Sequence, residues 1–264
     1  MKKDVEIMKS WRYQSPSEKG FFEVISPQSS DCKAISVYRL NLCTGDEYIL
    51  DTASLEMNGV VISGGIHIES DMLNHELEKF DSFYLSGGCQ LTITCTQTVI
   101  LYIAGAQGDC SHQQSVRIFD WALPIGDIHQ VHGSGRSERE VMFTLPPDSP
   151  AKHLICGLTW SHPGSWTSWP PHQHENDLEE VYCYFDMDNP KMGLHLSYLK
   201  SGEREELVAH PVQSGTMVLA PRGYHPTVAM PGTKNAYFWA LAAFNETSKR
   251  YDIAKNDIEL IDEL

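Results

Sequence analysis

The chain has 264 residues, 41% of them hydrophobic, enough to fill one large or two ordinary packed domains. Its 20 basic side chains against 35 acidic ones leave a formal charge of −15, which repels nucleic acid and anionic membrane surfaces and leaves a small solute as the expected partner. The seven cysteines are scattered, odd in number and without a Cys-x-x-Cys pair, so they read as buried thiols in a reducing compartment rather than a disulfide framework or a zinc knuckle.

At the start, Met1 to Glu6 carries two lysines with no apolar stretch behind them, and the longest apolar run, 236–244, is too short to span a bilayer. No membrane partner and a cytoplasmic location are therefore expected. From there the chain reads as strands. Apolar segments at 40–45, 57–62 and 83–88 end in Gly-containing turns, and Gln90-Leu91-Thr92-Ile93-Thr94-Cys95 alternates as a half-buried strand should. The Gly/Gln/Ser-rich stretch 105–112 and Gly133-Ser134-Gly135 bracket a seam, and we place the boundary near residue 120, giving halves 1–120 and 121–264. Gly133 to Arg136 lacks the Gly-Lys-Ser/Thr of a phosphate loop and reads as a plain turn. Beyond it the strand pattern recurs: 158–164 falls beside 40–45, Leu178 to Cys183 beside Met57 to Ile62, and Val218 to Gly223 beside Phe83 to Gly88. Helix-like periodicity is scarce until the acidic tail, 253–264. The result is an all-β chain of about two barrels.

The second half carries the chemistry. In Pro170-Pro171-His172-Gln173-His174 an extended backbone puts His172 and His174 on one face, where two imidazoles can share one ion. The strand Val181-Tyr182-Cys183-Tyr184-Phe185 follows, and Glu180 lies on the same face of it as Tyr182 and Tyr184. About 45 residues on, the apolar strand after Gly215 ends in Pro221-Arg222-Gly223-Tyr224-His225, which makes His225 the candidate fourth ligand. Such a mixed imidazole and carboxylate set suits zinc, manganese, iron(II), cobalt or nickel and leaves positions open for water or substrate. In the first half the corresponding positions hold residues such as Ala53, Leu55, Gly59 and Gln90, so no metal is expected there. His195, alternating in Leu194-His195-Leu196, reads as a satisfied packing histidine.

These residues resemble the two motifs of the cupin superfamily. Gly164, His172, His174 and a following glutamate match the first motif, with Glu179 at the expected gap from His174 and Glu180 directly ahead of the Val-x-Tyr strand. Glu180 is taken as the ligand. Gly215, Pro221, Gly223 and His225 match the second motif. The whole chain further resembles the two-cupin 5-deoxy-glucuronate isomerases of myo-inositol breakdown, on Gly135-Arg136 with Arg139-Glu140-Val141, on Pro163 through His174, and on Val218 through Pro226. That resemblance implies a bicupin of tandem antiparallel barrels, a divalent ion (zinc or manganese foremost) on His172, His174, Glu180 and His225, and isomerisation of 5-deoxy-glucuronate to 5-dehydro-2-deoxy-gluconate. Glu175, Glu179 and Tyr182 are the candidates to move the proton. Arg222 is the candidate clamp for the substrate carboxylate, with Trp166 and Trp169 as walls of the sugar site. A 4-deoxy-5-hexosulose-uronate isomerase is the near alternative. A cupin dioxygenase with a redox metal, or a sugar-binding cupin without turnover, are the alternatives of other classes. Pairing of edge strands makes a homo-oligomer an open expectation.

Overall fold

The computed structural model describes residues 2–201 and 204–260. A helix, α1 (Lys2–Lys9), comes first, followed by β1 (Arg12–Gln14), β2 (Gly20–Ile25), β3 (Ser36–Leu42), β4 (Glu47–Asp51), β5 (Leu55–Glu69), β6 (Asn74–Leu77), β7 (Ser82–Leu85), β8 (Gln90–Gln107) and β9 (Gln114–Arg117). The later part contains β10 (His129–His132), β11 (Arg139–Leu145), β12 (Leu154–Ser161), β13 (Trp166–Thr167), β14 (His172–Gln173), β15 (Leu178–Tyr184), β16 (Gly193–Ser201), β17 (Arg204–Val212), β18 (Thr216–Ala220), β19 (Thr227–Ala229), β20 (Ala236–Ala243) and β21 (Lys255–Asn256). Every ladder between these strands is antiparallel.

The strands β2 to β9 form one eight-stranded sheet in the order β2-β3-β8-β5-β7-β9, with β4 and β6 paired to β8 and β5. The expected alternation at the start of β8 holds, with Leu91, Ile93 and Cys95 buried. Midway along β5 the register against β8 shifts around Gly64, whose φ of +81° and carbonyl neighbours leave no room for a Cβ. The later strands form a seven-stranded sheet, β1-β18-β15-β20-β12-β11-β10, faced by the four-stranded sheet β13-β19-β16-β17. One apolar cluster fills the first half and another lines the interior of the second. A third, from Met8, Trp11 and Ile25 to Phe185 and Phe238, draws on both halves and cements them.

Three expectations change. The tail is not a helix: residues 251–260 form short 3₁₀ turns around β21, because Asp257 N–H donates to the Pro171 carbonyl and ties the segment to β14, while 261–264 lie outside the described residues. The helix is instead α1, and β1 behind it joins the later sheet although it precedes residue 120, because its partner is the edge of β18. Of the cysteines, all free, Cys43 and Cys110 are exposed rather than buried.

The halves are joined by a reciprocal exchange. On β15 the buried Glu179 carboxylate accepts the backbone N–H groups of Lys33, Ala34 and Ile35 at 2.6 to 2.9 Å, just ahead of β3. On β5 the buried Glu56 carboxylate accepts those of Lys152, His153 and Leu154 at 2.7 to 2.8 Å, at the start of β12. Leu55-Glu56-Met57 is therefore the structural counterpart of Leu178-Glu179-Glu180, two residues away from the pairing read from sequence. The companion pairing of Phe83 with Val218 agrees with the register, since Met57 faces Leu85 as Glu180 faces Ala220. Replacing either Glu56 or Glu179 by alanine strands three buried N–H groups, and we expect a loss of about 3 kcal/mol, or roughly 8 °C in Tm for a chain of this size. Thermal unfolding of the two variants checks this, and a change under 1 °C in both would contradict it.

Candidate metal centre

Each candidate ligand is delivered by a different local device. The strand β14 is only two residues long, and its pairing with β21 holds His172 against Asn256. A tight turn follows, in which Asp177 and Leu178 both donate to the His174 carbonyl at 2.9 Å, swinging β15 back so that Glu180 faces the two histidines. The turn after β18 presents His225; there Gly223 has a φ of +73°, and its N–H donates to the Glu175 carboxylate at 3.0 Å. One ligand atom from each of His172, His174, Glu180 and His225 lies within 4.8 Å of all the others.

The tautomers are set from behind. Nδ1 of His172 donates to the Pro170 carbonyl at 3.0 Å, that of His174 to the Leu178 carbonyl at 3.0 Å, and that of His225 to the Gly223 carbonyl at 3.1 Å. With Nδ1 carrying the proton, each neutral ring turns a bare Nε2 lone pair inward, which is how metal-ligating histidines are normally oriented. Nε2 of His174 and of His225 each lie 3.2 Å from one Glu180 oxygen. The buried His225 Nε2 is off the line of a hydrogen bond to it and has no other partner among the described residues. Lone pairs and a carboxylate converging on one buried point repel one another unless a cation stands between them, so the residues fit a divalent ion. Burial, with His225 and His174 alongside, pushes His172 down to about 3. Burial opposes ionisation of Glu180, and its carboxyl is held well below the usual carboxylate range where a proton or cation is shared with the His174 and His225 rings.

The cavity in front of this set has about 140 Å³ of free space, room for a small solute and not for a polymer. Its walls come from the inward row of the seven-stranded sheet and from the segment after β20. Tyr182 is in it: its ring centroid lies 5.9 Å from that of His225, and its hydroxyl is 2.7 Å from the Ser168 hydroxyl. Burial and the Glu180 charge push the Tyr182 pKa well above the ordinary value, which keeps its hydroxyl protonated.

Four other expected site residues lie elsewhere. Glu179 alternates to the opposite face of β15 and serves the inter-half exchange. Glu175 braces the Gly223 turn from outside the cavity. The Arg222 guanidinium pairs with Asp31 at 2.6 Å and lies over the Trp11 ring, so it does not reach the cavity. Trp166 packs on Trp169 with centroids 5.0 Å apart, and of the two it is Trp169 that lines the cavity. His195 is fully buried with Nδ1 on the Tyr184 hydroxyl, but its buried Nε2 has no hydrogen-bond partner among the described residues, so it is packed but not, as expected, fully satisfied. Sequence reasoning missed Arg139, His132, Tyr237, Trp239, Tyr251 and Asn256. Tyr237, Trp239 and Leu241 alternate in β20 in plain view; the others needed the topology. Space for Trp239 depends on Gly157 across the ladder, where a Cβ would stand 2.5 Å from the indole.

Alanine at His174 or at His225 removes an inward-facing ligand with little change of shape, and we expect bound divalent metal, measured by elemental analysis after dialysis, to fall at least tenfold. Retention of stoichiometric metal in both variants would place the ion elsewhere.

Over 261 residues the chain is 24% identical to a 5-deoxy-glucuronate isomerase of Geobacillus kaustophilus, covering 92% of each chain. Over 234 residues it is 32% identical to a protein of the same name from Bacillus licheniformis, covering 81% of this chain and 83% of the other. In fold it is similar to the crystal structure of an IolB-like protein from Salmonella typhimurium LT2, with a TM-score of 0.74 at 23% identity over 88% of this chain and 92% of that one. It is also similar to Bacillus subtilis oxalate decarboxylase, with a TM-score of 0.60 at 11% identity over 88% and 76%. With a family model matching residues 10–259 the chain belongs to the KduI/IolB family.

Proposed function

We propose that this chain is a metal-dependent sugar-acid ketol isomerase that converts 5-deoxy-glucuronate to 5-dehydro-2-deoxy-gluconate in the cytoplasm. In this reading the chain is a pair of tandem barrels dividing near residue 120, and the second alone holds an ion on His172, His174, Glu180 and His225. Zinc or manganese is the first choice, because either accepts this mixed imidazole and carboxylate set and the reaction has no need of redox chemistry. The observation that carries the reading is the convergence of three oriented Nε2 atoms and one carboxylate, of which His172, His174 and Glu180 line a cavity that admits a small solute.

When bound, the ion would supply Lewis-acid stabilisation to a carbonyl and its neighbouring hydroxyl. The chain's own groups hold the ion and polarise the substrate. Glu180 is the one carboxylate among the described residues lining the cavity, and its place among the imidazoles assigns it to holding the ion. Tyr182 and Tyr237 are kept protonated, chiefly by burial, so their hydroxyls are donors aimed at substrate oxygens where charge develops. Trp239, Leu241 and Trp169 exclude water, which strengthens those hydrogen bonds.

The test is proton NMR of 5-deoxy-glucuronate with metal-loaded protein. Conversion to the ketose, its loss on chelation and its return on adding the ion are the expected results. No conversion by a sample of verified metal content would overturn the reading and direct attention to the 4-deoxy-5-hexosulose-uronate substrate and then to oxygen uptake. A Tyr182→Phe variant should keep its metal and lose about 10²-fold in kcat; unchanged kcat would remove Tyr182 from the chemistry.

A further inference from the structure

The cavity has a second end. Along the inward row of the seven-stranded sheet, Glu180 faces Leu241, Tyr182 faces Trp239, Tyr237 faces Thr159, and Thr159 faces Val141. Arg139 stands two residues before Val141 on β11 and so shares its face. Three strand spacings separate β15 from β11, and the ladders also offset Arg139 from the level of Glu180 by six residues along the strands, so the two side chains enter the cavity they both line from opposite ends.

Arg139 is the one lysine or arginine among the described residues lining this cavity. No carboxylate pairs with it among those residues; its hydrogen bond runs from Nη1 to the Ser137 carbonyl at 3.1 Å, which leaves the other donors of the fork. Opposite it on β10 stands His132, kept neutral by burial and by the Arg139 charge. Tyr237 and Tyr251 line the same cavity as Glu180 and Arg139 and lie within electrostatic reach of both. In a chain of net charge −15 an anionic substrate needs a local cation, and Arg222, the candidate read from sequence, is spent on Asp31.

We propose that Arg139 binds the substrate's carboxylate at the end of the cavity opposite the metal ligands, and that this contact makes the enzyme choose sugar acids over neutral sugars. The inference rests on the isomerase reading and adds to it the residue that sets substrate class. A planar guanidinium presents paired donors to a carboxylate, an arrangement that lysine imitates poorly and glutamine cannot charge. With the carboxylate held there, the carbonyl end of the substrate is directed to the ion.

The experiment compares metal-loaded wild type, Arg139→Gln and Arg139→Lys on 5-deoxy-glucuronate and on 5-deoxy-glucose, its neutral counterpart. Arg139→Gln is expected to raise KM for the acid on the order of 30-fold, to keep its metal, and to lower kcat/KM for the acid far more than for the neutral sugar; Arg139→Lys should fall between. Equal losses on both sugars, or no loss on either, would overturn the assignment. Should wild type fail to turn over the acid, the isomerase reading falls, and calorimetric binding of D-glucuronate against D-glucose still interrogates Arg139. There, a wild-type preference for the acid that Arg139→Gln abolishes supports the contact. The absence of a preference, or its survival in the variant, overturns it.

Discussion

Two buried carboxylates, Glu56 and Glu179, each take three backbone N–H groups from the other half of the chain, and the geometry of the metal centre hangs on this exchange. Glu179 and Glu180 are neighbours on β15, and strand alternation sends one toward the first half and the other toward the cavity. Docking of the halves therefore fixes the register of the strand that carries a ligand. A slip of one residue would turn the anchor into the cavity and the ligand into the interface. The first half, with Met57 standing where Glu180 stands, contributes no inward carboxylate, yet it sets the position of the one that matters.

Around the ion site the structure keeps orientation separate from coordination. Three main-chain carbonyls, from Pro170, Leu178 and Gly223, each hold an Nδ1, and the ring's freedom is removed before any ion arrives. Each of those carbonyls lies in or beside a turn within four residues of its histidine in sequence, so the orientation is a local property of the chain. The hydroxyl groups around the cavity are supplied by the sheet and are held protonated by burial. Fixed donors on one side and oriented lone pairs on the other make a preorganised polar site that needs little rearrangement as charge moves.

The sequence made the ligand set legible because its members sit in short segments whose spacing reports local geometry: alternation for His172 and His174, a strand start for Glu180, a Pro-x-Gly turn for His225. The β class followed from Gly-bounded apolar runs. What stayed hidden depended on partners far along the chain. Glu179 has the same residue type and surroundings in sequence as Glu180, and only the N–H groups at 33–35, from the other half, assign it to the interface. Arg222 follows a proline in the ligand turn, as a substrate clamp might, but Asp31 and Trp11 claim it from the N-terminal region. Arg139 reaches the cavity because β11 is the third strand from β15 in the sheet order, and no local pattern encodes that order. The tail looked helical by periodicity, but the tie of Asp257 to β14, with the Tyr198 and Lys200 side chains on its carboxylate, outweighs so short a pattern.

That tail has a kinetic consequence. The strand carrying His172 is a two-residue ladder against β21, and Tyr251, Ala254 and Asn256 on the same segment wall the cavity. Local opening of 251–257 would slacken one ligand and admit solvent in a single event, far below the free energy of global unfolding. Ion exchange and hydrogen exchange at these amides thus share one opening equilibrium, with the Asp257 contacts as the latch.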